Sequence, residues 1–98
     1  MALRFRSLNF YREVKNLPGH VRQRVKQAIT GLADDPYPSG SKALDLSDHE
    51  HDVWQLKIDK WRVVYVITEA DNIIDVLAVR KRPPYDYGDL KKLLVDIP

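Results

Sequence analysis

The sequence predicts a single α+β domain, with helices in its first third, an antiparallel β-meander after them and a short helix at the end. Three observations predict it. Residues 21 to 32 repeat their apolar positions at helical spacing, and three runs rich in β-branched and aromatic residues follow between 53 and 80. The connections between those runs are too short to hold crossover helices. At 98 residues, 44% hydrophobic and 31% charged, the chain carries enough apolar surface for one core, whereas two cores would leave each half too small; residues 1–98 are therefore read as one domain.

Taken in order, Leu3 and Phe5 alternate with Arg4 and Arg6, the two-residue period of a short strand at or near a sheet edge. Phe10, Val14 and Leu17 recur at helical spacing behind a capping Asn9, and Pro18 with Gly19 interrupts before a second periodic run, which makes an αα-hairpin. In the second helix Val21, Val25, Ala28, Ile29 and Leu32 form one stripe, with Arg22, Gln23, Arg24, Lys26 and Gln27 off it. Pro36, Pro38 and Gly40 force a loop, and the acidic stretch 47 to 52 is a second one. Val53 to Ile58, Trp61 to Thr68 and Ile73 to Arg80 are the meander strands, which with the first strand complete a four-stranded sheet. Asp86 and Asp89 have the spacing of an N-cap and its third helical residue, leading Leu90, Leu93 and Leu94 into the terminal helix.

No run approaches the length of about 18 apolar residues that a membrane span needs, and the alternating N-terminus lacks a signal-peptide core, so a soluble, cytoplasmic chain is expected. The absence of cysteine excludes disulfides, a thiolate nucleophile and a cysteine zinc site. The net charge of +2 hides a strong segregation. Residues 1 to 33 carry seven Lys or Arg against the single acid Glu13, whereas Asp34 to Asp52 hold six acids against Lys42, and Arg80, Lys81 and Arg82 cluster later. Such segregation allows one face to attract polyanions at a small total charge.

The two-residue connection Asp59–Lys60 fixes the register of the first meander hairpin. Ile58 faces Trp61, Lys57 faces Arg62, Leu56 faces Val63, Gln55 faces Val64 and Trp54 faces Tyr65. Trp54, Leu56, Ile58, Trp61, Val63 and Tyr65 then make the face that packs on helices, and Gln55, Lys57 and Arg62 share the other. Two cations directly opposite each other are unfavourable by a few tenths to about 1 kcal/mol. A bound phosphate would compensate, with Arg80, Lys81 and Arg82 extending the same anion site. The plainer alternative is a solvated sheet face with both side chains splayed into water.

The segments WQLKIDKWRVVY, residues 54 to 65, and LAVRKRPPYDYGDL, residues 77 to 90, resemble the signature half of the RelE/ParE toxin superfamily. The element order is similar to the RelE-like fold across nearly the whole chain. The resemblance implies a type II toxin of a toxin–antitoxin system, a ribosome-dependent endoribonuclease that cuts messenger RNA and so stops translation. It maps catalytic roles onto Lys57, Arg62, Arg82 and Tyr87, with Tyr85 the second choice of tyrosine. RNA contacts are expected at Gln55, Lys60, Arg80, Lys81 and Tyr85. Gln55 stands where a RelE-like enzyme often carries another lysine.

The implied chemistry needs neither metal nor cofactor: the ribose 2'-hydroxyl attacks the adjacent phosphate, leaving a 2',3'-cyclic phosphate and a 5'-hydroxyl. Arg62 and Arg82 suit charge stabilisation, because guanidinium stays charged and meets two phosphate oxygens at once. Lys57 is read as a fixed charge ahead of a general base, since an ordinary lysine is almost wholly protonated at neutral pH. Tyr87 would orient the nucleophile, stack a base or exchange a proton.

His49, Glu50, His51 and Asp52 include common metal-ligand types, but they lie in one polar loop with no distant partner, and no metal site is assigned. His20 reads as a surface residue, and Trp54, Trp61 and Tyr65 as core before base-stacking platforms. The alternative within the superfamily is a ParE-like toxin that binds and poisons DNA gyrase without cutting RNA; a catalytically inactive relative that binds RNA or a partner is the third reading. Either toxin implies a cognate antitoxin, alongside ribosome and messenger RNA as partners.

Overall fold

The structure, a computed structural model, describes residues 4–5, 14–15, 17–44 and 52–81. The longest helix among them, α1, spans Gly19–Gly31 behind Pro18, whose fixed φ suits a helix start and whose carbonyl accepts the Arg22 N–H at 2.8 Å. The expected stripe is the buried one: Val25, Ile29 and Leu32 are fully enclosed and Val21 and Ala28 pack partly buried beside them. The first helix of the expected αα-hairpin, apart from Val14, Lys15 and Leu17, lies outside the described residues, as do the terminal helix and most of the acidic loop.

One sheet holds β1 (Arg4–Phe5), β2 (Ser41–Ala43), β3 (Asp52–Ile58), β4 (Trp61–Thr68) and β5 (Ile73–Lys81), in the order β1-β5-β4-β3-β2. The meander matches the expected strands to within a residue at each end, and β3 and β4 pair in the expected register. Two features differ from the four-stranded expectation. The sheet gains a fifth strand, β2, which is three residues long and held at the β3 edge by main-chain pairing of Ser41 with Leu56 and Ala43 with Trp54. Its Ser-Lys-Ala sequence has no apolar alternation, so periodicity has nothing to detect. The other edge strand, β1, pairs parallel to β5, an association more than sixty residues apart in sequence that no local pattern encodes.

Both faces of the sheet are packed. Leu56, Val63, Tyr65, Ile67, Ile74, Val76 and Val79 share one core cluster with Val25 and Ile29 of α1, with Trp54, Ile58 and Trp61 at the margin. The opposite face, expected to be wet, is apolar over most of its area: Val53, Val64, Val66, Leu77 and Ala78 are buried there. Its end at the β3–β4 turn is positively charged.

Candidate functional site

That charged end is built by strand pairing. Asp59 closes the β3–β4 turn in the left-handed region, at φ 53, a conformation that a short polar side chain tolerates. The register this turn sets places Lys57 beside Arg62, and on its other side Arg62 pairs with Arg80 of β5. Three cations therefore stand in one row across three adjacent strands. At a strand spacing of about 4.8 Å the row spans roughly 10 Å, about the reach of one phosphodiester and its neighbours. Each like-charge pair is unfavourable by up to about 1 kcal/mol, a repulsion that a bound anion turns into attraction.

A β-bulge aims the third cation. Val64 pairs with Ala78 and Tyr65 with Val76, so Leu77 is the extra residue in β5. Counting without it from the far end, where Thr68 pairs with Ile73, would set Val79 beside Arg62 and turn Arg80 to the helix side. The extra residue restores Arg80 to the Lys57–Arg62 face and leaves Leu77 and Ala78 together in the apolar cluster of that face.

The guanidinium of Arg62 folds back on the turn: its Nη1 donates to the Asp59 carbonyl at 2.9 Å and to the Trp61 carbonyl at 3.0 Å. Among the described residues these bonds use Nη1 alone of a group with five N–H donors. The Asp59 carboxylate in turn pairs with Arg24 of α1. Asp59 thus ties the helix to the turn by its side chain and supports Arg62 by its carbonyl. In the sequence it is legible only as a turn residue that tolerates positive φ; its partner 35 residues away is not. Lys57 is exposed, and Arg62 and Arg80 are half-buried.

The remaining expected residues separate. Gln55 lies two residues along β3 from Lys57, paired with Val64 on one side and Lys42 on the other, and is only 5% exposed. Lys60 is exposed on the turn. Lys81 pairs with Trp61 and points with it to the helix-facing side, so it leaves the Arg80 face. Arg82, Tyr85 and Tyr87 lie outside the described residues, as do His49, Glu50 and His51. The Asp52 carboxylate accepts a hydrogen bond from Trp54 Nε1 at 2.7 Å.

Two tyrosines outside the row have structural duties. Tyr65 is enclosed, and its hydroxyl donates to the Pro36 carbonyl at 2.7 Å, fastening the proline-containing loop to the sheet; burial pushes its phenol up to about 12. Tyr37 donates to Glu69 Oε1 at 2.7 Å and tilts against Trp54 at 4.7 Å between ring centres. The hydrogen bond to Glu69, and after it burial, push its phenol up to about 12 as well.

Comparison with known proteins gives a consistent picture. The family model described as the ParE toxin of the type II toxin–antitoxin system, parDE, matches residues 8–83. Similar solved structures include the archaeal RelE–RelB complex from Pyrococcus horikoshii, at 19% identity and a TM-score of 0.72, covering 87% of this chain and 100% of that one. A mutant of the E. coli toxin RelE in the free state is similar at 18% identity and a TM-score of 0.70, covering 97% of this chain and 96% of that one. The RelB–RelE antitoxin–toxin complex from Methanococcus jannaschii is similar at 20% identity and a TM-score of 0.62, covering 87% and 98%. At these identities the structural likeness establishes the fold. No curated protein matches the chain.

Proposed function

Since this chain belongs to the RelE/ParE toxin superfamily of type II toxin–antitoxin systems, we propose that it is the member type that cuts messenger RNA on the ribosome, acting in the cytoplasm until a cognate antitoxin covers it. The observation that carries this reading is the Lys57–Arg62–Arg80 row, three cations aligned across adjacent strands at one end of a largely apolar face.

In the proposed reaction the 2'-hydroxyl attacks the neighbouring phosphorus, the bond to the 5'-oxygen breaks, and the products are a 2',3'-cyclic phosphate and a 5'-hydroxyl. Negative charge grows on the non-bridging oxygens. Arg62 meets it with the donors that its turn hydrogen bonds leave over, and Arg80 and Lys57 flank it. The family resemblance adds Arg82 to the charge stabilisation and Tyr87 to the nucleophile. Positioning by the ribosome supplies much of the remaining barrier reduction, because no histidine base is assigned.

The matching family model carries the ParE name, which favours the second reading: a toxin that poisons DNA gyrase by binding. One experiment separates them. Purified protein is incubated with ribosomes programmed with a defined messenger RNA and, in parallel, with gyrase and supercoiled DNA. New RNA ends in the decoding site, with gyrase untouched, support the ribonuclease. Trapped gyrase–DNA cleavage with intact messenger overturns it in favour of the binder.

A further inference from the structure

The β3–β4 hairpin tip carries cations on both of its faces. The row Ile58–Trp61–Lys81 lies one residue along from Lys57–Arg62–Arg80 and therefore points to the opposite side, toward α1. A cavity opens there. Its floor is apolar, made by Val21, Ile58 and Trp61, all partly buried against the main core. Its walls bring Arg24, Lys57, Lys60, Lys81 and the imidazole of His20 together. Asp59 supplies the one carboxylate among the described lining residues, and it is already paired with Arg24.

Lys57 belongs to both places. The β2 ladder ends with Ser41 opposite Leu56 and the Gly40 carbonyl still accepts the Lys57 N–H at 3.2 Å, so Lys57 lies at the end of this edge, on the rim of the hairpin tip, in the cation row and on the cavity wall at once. A strand of polyanion leaving the row can round this rim with Lys57 bridging the two cationic surfaces. The ligand that matches such a lining joins an anion to a flat apolar body: phosphate against Lys60 and Lys81, a ring against Trp61 and Ile58. A purely acidic peptide such as polyglutamate would use the cations and leave the floor without a partner.

We propose that this cavity holds a nucleotide of single-stranded RNA next to the one cleaved, its phosphate on Lys60 and Lys81 and its base over Trp61. The identity of the ligand rests on the ribonuclease reading given above. The test measures equilibrium binding of a labelled single-stranded RNA carrying 2'-O-methyl groups throughout, which cannot be cut. Wild type is compared with K60A/K81A and with K15A/K26A, which removes the same charge from exposed positions that do not line the cavity. All four lysines are exposed, and melting curves verify that the variants fold.

The expected result is binding at least tenfold weaker in K60A/K81A. The slope of log affinity against log salt should also fall by about 0.7 for each phosphate that is no longer neutralised, with K15A/K26A changing affinity less than threefold. Equal behaviour of the two variants overturns the proposal. So does retention of RNA binding by K60A/K81A when it releases a polyglutamate peptide that wild type holds. Cleavage on ribosomes, run beside the binding assay, separates the two levels. Wild-type cleavage with RNA binding unaffected in K60A/K81A removes the cavity and leaves the ribonuclease. RNA binding abolished in K60A/K81A without any wild-type cleavage keeps the cavity as an RNA site and removes the ribonuclease.

Discussion

Lys57, Arg62 and Arg80 set charge density against stability, and the balance is measurable one residue at a time. Lys57 is exposed and is repelled by Arg62, so Lys57→Ala should leave stability unchanged or raise it by up to about 1 kcal/mol while lowering RNA cleavage. Thermal melting beside a cleavage assay checks both halves. Tyr65 makes the reverse case, a residue that serves structure. Its buried phenol has an ordinary value of 10.0 when exposed in the unfolded chain and about 12 when folded, so its contribution to stability is complete below pH 10 and is lost as pH rises through 12. The melting temperature should fall over that window, and Tyr65→Phe should flatten the fall. At neutral pH the same substitution should cost about 1 kcal/mol, because the Pro36 carbonyl loses its donor.

At the scale of elements, α1 ends on a glycine. Gly31 is helical and a Cβ added there meets nothing within 4 Å, so Gly31→Ala should stabilise the chain by roughly 0.5–1 kcal/mol, read as a higher melting temperature. Ile29→Ala, on the buried side of the same helix, should cost about 2–5 kcal/mol. The helix stripe, the three meander strands and the β3–β4 register are legible in the sequence because period and turn length encode them locally. The bulge is not. Leu77 looks like any other apolar strand residue, and only the pairing of both ends of β5 with β4 reveals it as extra. The same gap explains the site: a two-residue turn is enough to bring Lys57 and Arg62 together, whereas sequence adjacency groups Arg80 with Lys81. The pleat sends those two to opposite faces. The burial of Gln55 is hidden for a related reason, since alternation tells which face a residue takes but not whether something covers that face.

At the scale of the molecule, three carboxylates and the cation row lie toward opposite ends of β3 among the described residues. Asp35 accepts the Tyr37 N–H, Asp52 holds Trp54 and Glu69 holds the Tyr37 hydroxyl, so carboxylates gather where β3 begins. Lys57 and the cation row sit near its other end, about 16 Å away at the rise of a strand. A polyanion approaching such a polarised surface is steered toward one end, with a dependence on salt. Three phosphate contacts at about 0.7 each give a log–log slope near −2, so a fourfold rise in salt should weaken RNA binding roughly 20-fold. The measurement that tests the central claim most directly is the single-turnover rate of messenger cleavage on programmed ribosomes for wild type, Arg62→Ala and Arg80→Ala, with a melting curve for each. The row acting as the phosphate site predicts about a 100- to 1,000-fold loss of rate in both variants with the fold retained. Wild-type rates in folded Arg62→Ala and Arg80→Ala proteins would contradict it.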